Sequence, residues 1–125
     1  MKFLSIKHSV SIVTALLLIA FSSVSMAHPQ LQKSVPTADA VLKGAPKNIR
    51  IEFNEKLEAA FSTISISGLP GRKIATEKAV VDTRDGKVMT LALPALQPGQ
   101  YQVNWNAVTV DGHHVKSSYK FSIAK

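Results

Sequence analysis

The stretch QPGQYQVNW, residues 97–105, combines a turn signal with a strand signal. Proline and glycine stand at the two central positions that they favour in a type II turn. After them apolar and polar residues alternate, so that one face of the segment is apolar. This period of two predicts a half-buried β-strand that begins directly after the turn. The residues predicted to face a core are Tyr101, Val103 and Trp105.

The same alternation recurs along the chain in short runs separated by turn-forming residues, and no stretch shows a sustained helical period. Residues 55–60 (EKLEAA) fit either one helical turn or a loop, and Asp85-Gly86 favours a tight hairpin turn. About seven strands at this spacing predict an all-β, Greek-key antiparallel β-sandwich, cupredoxin-like or immunoglobulin-like. The predicted strands lie near residues 31–35, 49–54, 64–67, 79–81, 88–93, 101–105 and 119–123.

Residues 1–27 have the three parts of a secretory signal peptide in the expected order. Two lysines precede an uncharged apolar run at residues 9–24, and residues 25–27 (SMA) place small side chains before a cleavage site. Cleavage there would leave residues 28–125 as one small domain that is not inserted in a membrane. The alternative is an uncleaved membrane anchor, since the uncharged run is nearly long enough to span a bilayer.

The composition limits the kinds of function that the chain can have. It contains no cysteine, so it has neither a disulfide nor a thiolate metal ligand. Without residues 1–27 the chain keeps 13 basic and 8 acidic residues, a net charge of +5. The basic residues are spread along the chain with little aromatic interleaving, which is typical of a solvated surface. We therefore expect no nucleic-acid partner.

Three residues are candidate metal ligands: His28, Asp111 and His113. As a new amino terminus, His28 would offer its amine and its Nδ1 to one ion. Asp111 and His113 are two positions apart, so in an extended segment their side chains point the same way, whereas His114 points outward. Three nitrogens and one oxygen suit tetragonal Cu(II), while zinc would prefer a tetrahedral arrangement. The alternative is that Asp111-Gly112 is only a turn and that the histidines are incidental.

Several short motifs occur in order along residues 28–125: HP at 28–29, Pro36 with Ala38, FNE at 53–55, LQPGQYQVNW at 96–105, VTVDGH at 108–113 and YKF at 119–121. In this combination the chain resembles the periplasmic copper-resistance and copper-binding proteins of the CopC type. The resemblance implies a cupredoxin-like sandwich in the periplasm that binds one Cu(II) per chain through His28, Asp111 and His113. It also implies an inner-membrane copper protein of the CopD type as a partner.

Two features concern further copper ligands. Some proteins of the CopC type carry a Cu(I) site in a methionine-rich loop, but Met89 is the only methionine after residue 27. One thioether cannot make a multidentate soft site, so we expect no high-affinity Cu(I) binding. Glu55 matches an acidic position that lies near copper in some relatives, although an ordinary exposed carboxylate is the more common case.

The leading hypothesis is therefore a carrier or buffer for Cu(II) in copper homeostasis and resistance, not an enzyme. One alternative is a copper-dependent oxidative enzyme with a histidine-brace-like site. An anionic ligand such as Asp111 argues against it, because it would favour Cu(II) and hinder reduction. The other alternative is a structural β-sandwich module that binds no metal, since sandwiches host many functions.

Overall fold

The structure is a computed structural model, and it describes residues 28–125. The predicted signal peptide, residues 1–27, lies outside the described part of the chain. Within the described residues no helix is long and apolar enough to cross a bilayer. The strands are β1 (Leu31–Val35), β2 (Val41–Leu42), β3 (Asn48–Phe53), β4 (Thr63–Gly68), β5 (Arg72–Lys73), β6 (Val80–Val81), β7 (Val88–Ala92), β8 (Gly99–Val108) and β9 (His114–Ile123).

The strands form two sheets, and the chain crosses between the sheets repeatedly. The smaller sheet has the order β1-β3-β7-β6, and the larger has the order β2-β9-β8-β4-β5. All pairs are antiparallel except β2 with β9, where two residues of an edge strand run parallel to their neighbour. The predicted all-β sandwich is thus confirmed. The prediction missed β2 and β5, because two residues are too few to show alternation; β6 is equally short and was predicted because the hairpin signal of Asp85-Gly86 follows it.

The core lies between the sheets and consists of the inward residues of both. Ile49, Ile51 and Phe53 alternate with exposed or half-buried residues along β3, as the sequence pattern predicts. Trp105 of β8 packs edge-to-face on Phe53, with ring centroids 5.1 Å apart, an arrangement that aromatic quadrupoles favour. Other core residues from the larger sheet are Ile64, Ile66, Tyr101, Val103, Phe121 and Ile123.

The outer faces of the two sheets differ in charge. On the smaller sheet Arg50 and Glu52 form an ion pair at 3.6 Å. The strands of the larger sheet contain no aspartate or glutamate at all. Since directly paired residues point to the same side, the outer face of the larger sheet is an array of hydroxyl, amide and cationic side chains. These include Thr63, Ser65, Ser67, Lys73, Gln102, Asn104, Asn106, Lys116, Ser118 and Lys120.

Two turns differ from the sequence predictions. Gly99 has a φ of +151° rather than the roughly +80° of a type II turn, because it already belongs to β8 and pairs with Ile123. The connection between β6 and β7 is a hairpin, but Asp85-Gly86 does not form a tight two-residue turn. Instead the Asp82 carboxylate accepts hydrogen bonds from the backbone N–H groups of Arg84 and Asp85, at 2.7 and 3.1 Å.

Candidate metal centre

The candidate site lies at one end of the sandwich, where residues 109–113 connect β8 to β9. Thr109 and His113 close this connection, since the Thr109 N–H donates to the His113 carbonyl at 2.9 Å and the His113 N–H donates to Thr109 Oγ1 at 3.0 Å. Gly112 has a φ of +90°, a conformation that L side chains rarely adopt. The glycine therefore allows the chain to turn tightly between the two candidate ligands.

This turn brings Asp111 and His113 into contact. Asp111 Oδ1 lies 2.9 Å from His113 Nδ1, and the aspartate and histidine side chains are 56% and 30% exposed. Both groups are therefore open to an ion from solvent. His114 points to the other side, as the alternation predicts, and its Nε2 contacts Asn106 Oδ1 on the outer face of the larger sheet.

Hydrogen bonding keeps the Asp111 carboxyl ionised. The Thr109 hydroxyl, which donates to Asp111 Oδ1, is the main cause that lowers the pKa of Asp111 below its ordinary value. Desolvation acts in the opposite direction, and His113 lowers the pKa further. Asp111 is therefore an anionic oxygen donor across the physiological pH range.

Glu55 joins this pair from a different part of the chain. Residues 55–60 contain no helix. Leu57 pairs with Thr109 after the end of β8, and one turn follows, in which the Glu58 carbonyl accepts from the Ser62 N–H at 3.1 Å. The Val110 N–H donates to the Lys56 carbonyl at 3.1 Å and fixes the same alignment. As a result the ligand atoms of Glu55, Asp111 and His113 lie within 4.8 Å of one another.

Glu55 is less exposed than the sequence predicts. It is half-buried, whereas the favoured expectation was an ordinary exposed carboxylate. The signal that could have found it was its place directly after Phe53 and Asn54, because a core phenylalanine at the end of β3 fixes where the next residues lie.

His28 lies against the same cluster. Its ring meets the His113 ring edge-on, with centroids 5.8 Å apart and planes at 71°. The chain is held just after it, since the Gln30 N–H donates to Asn54 Oδ1 at 2.7 Å and the Asn54 N–H donates to the Gln30 carbonyl at 3.1 Å. Pro29, which lies between His28 and Gln30 in the sequence, is buried. His28 therefore lies beside the cluster through its contact with His113, while the ligand atoms within 4.8 Å of one another are those of Glu55, Asp111 and His113.

The donor set decides which metals fit. Two imidazoles and two carboxylates are borderline to hard ligands, which suit divalent transition metals such as copper or zinc rather than Cu(I). Met89, the one thioether in residues 28–125, is fully buried in the core and lies on β7. The described residues therefore offer no sulfur ligand to this cluster.

Fold and site together define a class: a small β-sandwich with a histidine and carboxylate cluster at the end of a long hairpin. The family can be stated more narrowly. The family model for the CopC domain matches residues 31–124, so this chain belongs to the CopC family.

Named relatives agree with this membership. Copper transport protein CutJ of Bacillus subtilis (strain 168) is 36% identical over 115 residues, which are 91% of this chain and 21% of CutJ. The chain thus spans about a fifth of that relative. The crystal structure of CopC from Methylosinus trichosporium OB3b matches with a TM-score of 0.74 at 30% identity, over 78% of this chain and 94% of that one.

A second solved structure allows a comparison of composition. PcoC of Escherichia coli, described as a methionine-rich copper resistance protein, matches with a TM-score of 0.69 at 31% identity, over 78% of this chain and 99% of that chain. This chain has 3 methionines in total. The names of these relatives denote copper proteins, and none denotes an enzyme. The family resemblance and the prediction of a non-enzymatic copper protein are confirmed.

Proposed function

We propose that this chain is a periplasmic carrier or buffer that binds one Cu(II) ion through His28, Asp111 and His113. The observation that carries the proposal is the convergence of these residues at one end of the sandwich, with the histidine rings 5.8 Å apart and Asp111 hydrogen-bonded to His113. Copper is the metal that membership in the CopC family favours, and Cu(II) heads the affinity order of the divalent ions for nitrogen and oxygen donors.

Each ligand has a defined part in capture. Removal of residues 1–27 converts the peptide nitrogen of His28 into a free amine, which chelates together with the imidazole of the same residue. Asp111 supplies negative charge, and His113 adds a second imidazole. The amine must lose its proton before it binds, and its ordinary pKa is about 7.7 to 8.0, so affinity falls as the pH is lowered. Glu55 adds a second carboxylate close enough to contribute charge.

The proposal also covers the oxidation state of the bound copper and the protein that receives it. Met89 carries the one thioether of residues 28–125, and it is buried in the core. These residues therefore provide no high-affinity Cu(I) site. A carrier of this kind releases its cargo by exchange of ligands with another copper protein. An inner-membrane protein of the CopD type is the partner that we propose.

The test is a Cu(II) titration followed by electron paramagnetic resonance. The protein begins at His28, as verified by intact mass, and its matched control carries one extra residue before His28. We expect tight one-to-one binding and a nitrogen-rich tetragonal spectrum from the first protein, with weaker binding and a changed spectrum from the control. Equal, weak binding by both would contradict the proposal and favour a sandwich that binds no metal.

A further inference from the structure

Thr109 is a buried polar residue that contacts the candidate ligands without being one of them. It lies at the end of β8 and is 2% exposed. Its hydroxyl donates to Asp111 Oδ1 and accepts from the His113 N–H, so one oxygen atom touches both residues of the cluster that come from this connection. If Asp111 or His113 moved away, the buried hydroxyl of Thr109 would lose a hydrogen bond, which is costly inside a protein.

Asp111 Oδ1 is the oxygen that joins the aspartate to both neighbours. It accepts from the Thr109 hydroxyl and lies 2.9 Å from His113 Nδ1. If His113 turned to bind an ion through Nδ1, its contact with Asp111 would be lost. The Thr109 hydroxyl would then be the group that still holds the carboxylate.

From this geometry we infer that Thr109 is a positioning residue of the metal site: its hydroxyl would hold the Asp111 carboxylate through Oδ1 when a metal is bound, and it fixes the backbone of His113. The inference rests on the proposed function, because it assumes that Asp111 and His113 bind copper. Side chains that orient metal ligands typically change metal affinity 10- to 100-fold when they are replaced. The sequence alone gives no sign of this role, since a threonine in an alternating strand is ordinary.

The experiment compares three variants with the protein that begins at His28. Thr109→Val keeps the shape of the side chain and removes the hydroxyl, whereas Thr109→Ser keeps the hydroxyl. Ser62→Ala is the matched control: Ser62 is also buried, and its hydroxyl bonds the backbone of Val108 on the same strand without touching Asp111. Cu(II) affinity, the paramagnetic resonance spectrum and the thermal unfolding of the metal-free protein are measured for each.

We expect Thr109→Val to bind Cu(II) about 10-fold or more weakly, with an altered spectrum, while Thr109→Ser stays within about 3-fold with the original spectrum. Ser62→Ala should lower the unfolding temperature and leave the spectrum unchanged. The inference is overturned if Thr109→Val keeps the original affinity and spectrum, if Ser62→Ala shifts both equally, or if Thr109→Ser behaves like valine. Should Thr109→Val fail to fold, Thr109→Ala, which also removes the hydroxyl, takes its place with the same expected loss of affinity and altered spectrum. Absence of Cu(II) binding in the unmodified protein would instead refute the proposed function.

Discussion

Tyr119 illustrates how position within the sandwich sets the chemistry of one residue. Its ring packs against the core from β9, and its hydroxyl oxygen has no hydrogen-bond partner among the described residues. Burial is the main cause that raises the pKa of Tyr119 to about 12. Because the charged form would be unsolvated there, the folded protein favours the neutral phenol.

This pKa predicts how stability depends on alkaline pH. An unfolded tyrosine loses its proton near pH 10, whereas folded Tyr119 does so near 12. The contribution of the neutral Tyr119 phenol to the free energy of unfolding is therefore complete below pH 10. It is lost as the pH rises from 10 through 12. Chemical denaturation across this range should show a steeper loss of the free energy of unfolding for the unmodified protein than for Tyr119→Phe. Parallel pH profiles for the two proteins would contradict the prediction.

The candidate ligands show which single residues a sequence can identify. Asp111 and His113 are close in sequence and were predicted to lie together, but the predicted extended segment is wrong: they meet because the chain turns at Gly112. Glu55 reaches them only because Leu57 pairs with Thr109, a contact between residues far apart in the chain. Thr109 was missed for a related reason, since its burial and its hydrogen bonds arise from the turn that follows it.

At the level of elements, the start of β1 determines where His28 lies. Asn54 follows β3 directly, and its side chain and backbone together hold Gln30 at the mouth of β1. Strand pairing continues from there, with Leu31 opposite Phe53. The position of the amino-terminal segment thus depends on a residue of a neighbouring strand.

Replacement of Asn54 should therefore weaken Cu(II) binding more than it lowers the free energy of unfolding. We expect Asn54→Ala to weaken Cu(II) binding several-fold, because the His28 arm becomes less ordered, while the free energy of unfolding falls by about 1 kcal/mol for a partly exposed hydrogen bond. Isothermal titration and denaturant unfolding measure the two effects. Gln32→Ala, an exposed change on β1, serves as the control. A large loss of stability with unchanged affinity would show that Asn54 only supports the sheet.

Elements also differ in how well the sequence predicts them. The long alternating strands were predicted, because burial of one face imposes a period of two. Their connections were predicted less well. The turn after β6 is set by hydrogen bonds that the Asp82 carboxylate accepts from the Arg84 and Asp85 N–H groups, and these compete with the hairpin signal of Asp85-Gly86.

For the molecule as a whole, one core shared by both sheets carries the stability. Residues 28–125 contain no cysteine, so no disulfide supplements the packing. Phe53 is 1% exposed and contacts Trp105 across the two sheets. Removal of such a side chain leaves a cavity at the centre of the fold.

Phe53→Ala should therefore cost about 3 to 5 kcal/mol of the free energy of unfolding. A domain of this size has only about 5 to 15 kcal/mol in total, so the variant would be close to unfolding at ordinary temperature. Denaturant titration followed by Trp105 fluorescence measures the change, with Phe61→Ala as the control because Phe61 is 63% exposed. Equal effects of the two substitutions would contradict the assignment of the core.

The unequal charge of the two sheets gives the molecule a direction. The broad outer face of the larger sheet carries lysines with no acidic residue in its strands, whereas on the opposite face Glu52 pairs with Arg50 and lies across from Lys33. A face with cations and no acidic residue in its strands is the one that a negatively charged surface attracts most strongly. We therefore expect the outer face of the larger sheet to lie against such a surface. The end of the sandwich that carries His28 and His113 then stays open to solvent.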